Sequence, residues 1–189
     1  MKANGYLIYE SIGSIVVFLL ATLWHFVYYW IPSNVSAVIF PVNESPWEHV
    51  KLFFFPAIIV YLIGYFIFGT ELKNYIFGHG IVLILMPIIM FIMFYGYRIG
   101  FNIEEILIVD IIITFISICF GSFIAYKITM SSNDYSGYNV LILVAAFVMF
   151  VSYALLTFYP PKVPIFFDHN IDGYGLEHGD EDNDHGHSH

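Results

Sequence analysis

The sequence predicts an all-α integral membrane bundle of about five transmembrane helices, ending in a disordered, acidic, His-rich C-terminal tail. Three observations carry this prediction. Apolar residues make up 59% of the 189 positions and charged ones 11%, and the mean hydropathy is +0.78, well above the balance of ordinary globular chains. Five apolar runs are long enough to cross about 30 Å of hydrocarbon, which takes roughly 20 helical residues. The runs lack the short alternating pattern of an outer-membrane barrel, so their backbone groups must be satisfied within helices.

The first run, 6–30, begins where a signal peptide would. It is too long for one, carries Glu10 and His25, and has no small-residue cleavage pattern before Trp30. Trp24, Tyr28, Tyr29 and Trp30 gather where a helix end meets the headgroups, as interfacial anchors do. The second run, 46–68, has a marked start at Ser45-Pro46-Trp47-Glu48. Serine suits the N-cap, proline the first helical position, and a glutamate three residues after the cap closes a capping box.

The third and fourth runs are read as 75–97 and 103–126. In the fourth, Asp110 shares a face with Thr114, Ser117 and Gly121, and Ser117-Gly121-Ala125 is a small-residue stripe that lets helices approach closely. Its carboxylate is therefore expected to point into the bundle, about 10 Å inside the Ile103 end at 1.5 Å per residue. The lone Cys119 excludes an internal disulfide and any cysteine-rich metal site. The fifth run, 138–159, is stopped by Tyr159-Pro160-Pro161-Lys162-Val163-Pro164, since proline cannot continue a helix. Residues 1–167 thus form the membrane domain and 168–189 the tail. From Glu177 the mixture of His, Asp and Gly cannot bury a core.

The formal charge of −9 belongs largely to that tail, because seven of the fifteen acids lie from Asp168 onward. No basic patch suggests nucleic acid; the expected partner is the lipid bilayer, with a homo-oligomer as a further possibility. His178, His185, His187 and His189 among the tail acids form a tract of the kind that binds divalent metal weakly.

Five spans place the 31–45 loop, the 98–102 turn and the tail on one side. Glu44, Glu48, His49, Arg98, Glu104 and Glu105 share that side, whereas Glu10, Glu71, Lys73, His79, Lys127 and Asp134 belong to the other. Lysine and arginine near the span ends number three against three, so the positive-inside rule is balanced. Lys51 is drawn into a helix, which tips the expectation toward a cytoplasmic N-terminus.

The head of the second span is the candidate site. The positions before an N-cap and four residues into a helix normally hold two apolar side chains packed as a staple. Here they are Glu44 and His49, so the same geometry predicts a carboxylate beside an imidazole. His25 lies about 8 Å inside the Trp30 end of its span, in the adjoining leaflet. Intramembrane ionisable groups are functional candidates whose partner should be named: His25 with Glu44 or His49, and Asp110 with Arg98. Carboxylates and neutral imidazoles are ligands for zinc. The expected metal ligands are therefore His25, Glu44 and His49, with Glu48 or Asp110 as catalytic base and Ser45 as the cap that fixes the helix start. A zinc-dependent, hydrolase-like site follows as the leading expectation. Cation or proton transport through Glu10 and Asp110, and a non-enzymatic scaffold, are the alternatives.

Two segments resemble a family of uncharacterised small bacterial and archaeal integral membrane proteins, a domain of unknown function. The first is Pro41-Val42-Asn43-Glu44-Ser45 followed by Trp47-Glu48-His49 and Lys51, with His25-Phe26 upstream. The second is Tyr159-Pro160-Pro161 with Pro164, Phe166, Asp168 and Tyr174-Gly175. The resemblance implies a multi-pass protein of a bacterial or archaeal cell membrane and supplies no substrate, cofactor or catalytic role. The His-rich end after Leu176 lies outside its pattern.

Overall fold

The protein is described by a computed structural model covering residues 2–103 and 106–176. Its elements run α1 (Lys2–Trp30), α2 (Asn34–Ile39), α3 (Pro46–His49), α4 (Lys51–Gly64), α5 (Tyr75–Phe101), α6 (Leu107–Thr129), α7 (Asn139–Phe158), β1 (Phe167–Asp168) and β2 (Gly173–Tyr174). Short 3-10 turns precede α7 and β1, and a π-helical turn, Tyr65–Gly69, extends α4. Five segments are long and apolar enough to cross a membrane: α1, α3 with α4 and its π-turn, α5, α6, and α7 with its leading turn. The protein is a multi-pass membrane protein.

Packing follows the small residues. α5 lies along α6 and α7, while α1 lies along α4 and α6. Ser117, Gly121 and Ala125, the stripe expected to bring helices together, are all buried. A Cβ at Gly121 would stand 2.8 Å from both Val82 and Met86 of α5, so glycine sets how closely these helices approach. Phe53, Phe54, Val82, Met86, Ile118 and Tyr153 fill the centre. Large apolar side chains such as Val140, Leu141, Val144 and Phe147 of α7 point outward, as a lipid-facing surface requires.

Two helix bounds differ from the sequence expectation. α5 does not stop at Tyr97 but continues to Phe101, where Asn102 adopts the left-handed conformation (φ 51°) and its amide donates to the Arg98 carbonyl. The apolar run ends before the helix does, because a charged residue can occupy a last turn that emerges from lipid. α6 begins at Leu107, four residues late, so Asp110 occupies its first turn and is not deep in the leaflet; there its charge favours the helix N-terminus. The expectation of disorder begins at Glu177, and between Asp168 and Leu176 the chain is folded. β1 and β2 pair antiparallel, Phe167 with Tyr174 and Asp168 with Gly173, and at Gly175 (φ +58°) a Cβ would stand 2.6 Å from the Thr157 carbonyl. Glu104, Glu105 and the His-rich stretch from Glu177 lie outside the described residues.

The side assignments hold at the level of contacts. The loop before α3 meets the C-terminal hairpin, with the Glu44 amide donating to Asp168 Oδ2 at 2.8 Å and Asn43 Nδ2 to the Gly175 carbonyl at 2.8 Å. At the opposite end buried Asn74 clasps the α6–α7 loop, donating to the Asn133 carbonyl at 2.7 Å and accepting from the Tyr135 amide at 2.8 Å.

Candidate metal centre

Local chemistry fixes the head of α3. Ser45 caps it, its hydroxyl accepting from the Glu48 amide at 3.4 Å, and Pro46 occupies the first turn. This start throws His49 back over the residue before the cap. His49 Nε2 lies 2.9 Å from Glu44 Oε2, and His25 Nε2 of α1 lies 3.2 Å from Glu44 Oε1. The two imidazoles stack with centroids 5.9 Å apart. One carboxylate thus bridges two histidines, and one ligand atom from each of the three side chains falls within 4.8 Å of the others.

Electrostatics favours the ionised carboxylate. Burial pushes the Glu44 carboxyl upward, but hydrogen bonds from His25 and His49, reinforced by their charge, hold it well below the ordinary carboxylate range. An ionised carboxylate only accepts, so both Nε2 atoms carry hydrogen in this arrangement. To hold a metal, both Nε2 atoms would have to give up those hydrogens, since a ligating imidazole is neutral. Glu44 is 40% exposed, and it lines two cavities of about 370 Å³ each. One is shared with His25, Tyr28, Tyr29 and Pro41, the other with Tyr95, Arg98, Asn102 and His169.

The remaining expected residues go elsewhere. Glu48 is 2% exposed. Its Oε2 accepts from Lys51 Nζ at 2.7 Å and the Val42 amide at 3.1 Å, and its Oε1 from Thr157 Oγ1 at 2.6 Å. It neither closes the capping box nor faces the histidines; the Ser45 amide donates instead to Asn43 Oδ1 at 3.0 Å. Asp110 accepts from Tyr97 Oη at 2.9 Å and does not belong to the three-residue cluster. Arg98, the partner expected for Asp110, lays its guanidinium over the Phe94 ring at 4.9 Å.

Sequence reasoning missed Asp168, which fixes the backbone of Glu44 and is 2% exposed. It also missed Thr157, whose hydroxyl completes the buried Glu48–Lys51 pair. Asp168 stood inside the second quoted segment, but nothing local in the chain links it to Glu44 across 124 residues.

A family model described as a family of unknown function (DUF6512) matches residues 2–176, and the chain belongs to that family. No curated protein and no solved structure matches the chain.

Proposed function

We propose that this member of the DUF6512 family holds a divalent metal, zinc by the chemistry of its donors, between His25, Glu44 and His49. The convergence of three ligand atoms within 4.8 Å carries the reading. Ligand atoms around tetrahedral zinc lie roughly 3.3 Å apart, given bonds of about 2.0–2.1 Å. The three side chains need only draw in slightly to reach that geometry. Two histidines and a glutamate with a fourth position open is a ligand set of catalytic zinc sites, whereas structural sites close all four.

His25 and Glu44 border the cavity lined by Tyr28 and Tyr29, through which a further ligand could reach a metal held by them. Metal-assisted hydrolysis of a lipid-borne or small amphiphilic substrate is the chemistry we assign to this site. Glu48 and Asp110 are bonded elsewhere, so neither is assigned as base; a divalent metal held by His25, Glu44 and His49 would supply Lewis acidity toward a water or carbonyl oxygen.

Metal content decides the matter. The full chain and a version ending at Leu176 are purified with and without Glu44→Ala or His49→Ala. About one metal per chain is expected in the unsubstituted form ending at Leu176 and none in its variants, because each variant removes one of the three proposed ligands; metal held by the full-length variants alone is metal held by the tail. Metal absent from the shortened chain would leave a scaffold or proton-transport role.

A further inference from the structure

Of the three side chains that meet at the candidate metal centre, two stand on helices and one does not. His25 belongs to α1 and His49 closes α3, whereas Glu44 sits in a bend between α2 and α3. A side chain on a helix takes its direction from a backbone that is already fixed. Glu44 has no such support, so whatever holds its backbone holds the site.

That hold comes from the far end of the chain. The Glu44 amide donates to Asp168 Oδ2 at 2.8 Å, and Asp168 Oδ1 accepts from the Asn170 amide at 2.7 Å. One carboxylate, 2% exposed, therefore ties the ligand-bearing bend to the turn of the β1–β2 hairpin. Asn43 adds a second tie: its Nδ2 donates to the Gly175 carbonyl at 2.8 Å, while its Oδ1 accepts from the amide of the α3 N-cap, Ser45, at 3.0 Å. Phe166, just before the hairpin, packs on the Trp47 ring of α3 with centroids 4.8 Å apart. Helix start, bend and hairpin are thus joined by two polar contacts and an apolar one.

Groups that orient metal ligands from behind commonly set affinity as strongly as the ligands do. Coupling of this kind is reciprocal. If a docked hairpin holds Glu44 ready for metal, metal on Glu44 favours the docked hairpin by the same factor.

We propose that Asp168 is the positioning residue of this centre, so that docking of the C-terminal hairpin and occupation of the site by metal are one linked equilibrium; the linkage rests on the metal reading above. With the hairpin docked, Glu44 stands between His25 and His49. With it released, the bend loses its anchor and the three ligands lose their register.

The test is hydrogen–deuterium exchange of the full chain in detergent micelles, read by mass spectrometry on peptides covering 166–176. Added zinc slows exchange of the hairpin amides by about tenfold or more, the coupling factor read from the hairpin side. It has no such effect in His49→Ala, where zinc held by the tail is still present. Against a competing chelator, and after subtraction of the zinc that His49→Ala retains, Asp168→Ala holds zinc about 10–100-fold less tightly. Asp168→Asn keeps one accepting oxygen and recovers part of that loss. The exchange measurement uses the unsubstituted chain, so it decides the matter even where Asp168→Ala does not fold. Zinc bound with hairpin exchange unchanged, or held equally well by Asp168→Ala, would overturn the proposal. A chain that takes up no zinc is a different failure, which removes the metal reading and the linkage with it. Asp168 is then judged as a positioning residue by the nitrogen-15 signals of His25 and His49, which move in Asp168→Asn if it places Glu44 between them and stay where they are if it does not.

Discussion

Lys51 shows how a single residue organises the mouth of the bundle. Its side chain is 0% exposed, and Nζ donates to the Ala37 carbonyl at 2.8 Å, Glu48 Oε2 at 2.7 Å and Thr157 Oγ1 at 2.6 Å. The ammonium thus meets acceptors from α2, α3 and α7, with the Phe40 carbonyl also within 3.4 Å. A buried ion pair gains little over an apolar replacement of both partners, but loss of one partner strands a charge. Lys51→Met is therefore expected to destabilise the protein by about 3–5 kcal/mol, with Lys51→Met combined with Glu48→Met recovering much of it. Denaturant unfolding in detergent measures both. A double variant no more stable than Lys51→Met would show that the cost lies in lost packing and not in the stranded carboxylate.

Among the elements, the loops show where charge acts at helix ends. Asp134 accepts from the Ser136 hydroxyl at 2.7 Å and amide at 3.0 Å, and pairs with Lys73 at 3.3 Å. The Ser136 hydroxyl first, then its amide and Lys73, lower the carboxyl to about 2. A carboxyl lowered on folding contributes stability that is fully present above its unfolded value of about 3.9 and lost as pH falls through the folded value. Acid unfolding of the unsubstituted chain should thus include a component between about pH 4 and pH 2 that Asp134→Asn lacks, read as the difference between two pH-midpoint curves. The head of α3 was legible because serine, proline and the staple positions are adjacent in sequence, and its geometry follows from helix pitch. The fate of Glu48 was not, because a capping glutamate and one turned toward Lys51 and the distant Thr157 share the same local spelling. The α6 start was also hidden, since its N-cap is Ile106, which makes no side-chain cap hydrogen bond and so leaves no local signal. Asp168 and the buried pair of Glu10 with His79, 2.9 Å apart, depend on which helices are neighbours. The sharing of one side by Glu10 and His79 was the only trace of that neighbourhood in the sequence.

At the scale of the whole molecule, the number of spans is the quantity on which every shared-side argument rests. The mouth gathers its groups from α1, the α2–α3 loop, the α5 end and the C-terminal hairpin, whereas Asn74, Lys73 and Asp134 meet at the other end. Such a division requires five crossings between the first helix and the hairpin, as the five long apolar segments supply. The chain offers a direct check, because Cys119 is its only cysteine and sits within α6. With Cys119→Ser as background, a single cysteine is placed at exposed Asn133 or at exposed Lys162, which flank α7 on its two sides. In sealed vesicles of uniform orientation, a membrane-impermeant thiol reagent should label one of these positions and reach the other only after detergent is added. Labelling of both from the same side would mean that α7 does not cross. It would also separate the hairpin from the compartment of the α5–α6 turn, and with it dissolve the arrangement in which Asp168 holds Glu44 between the two histidines.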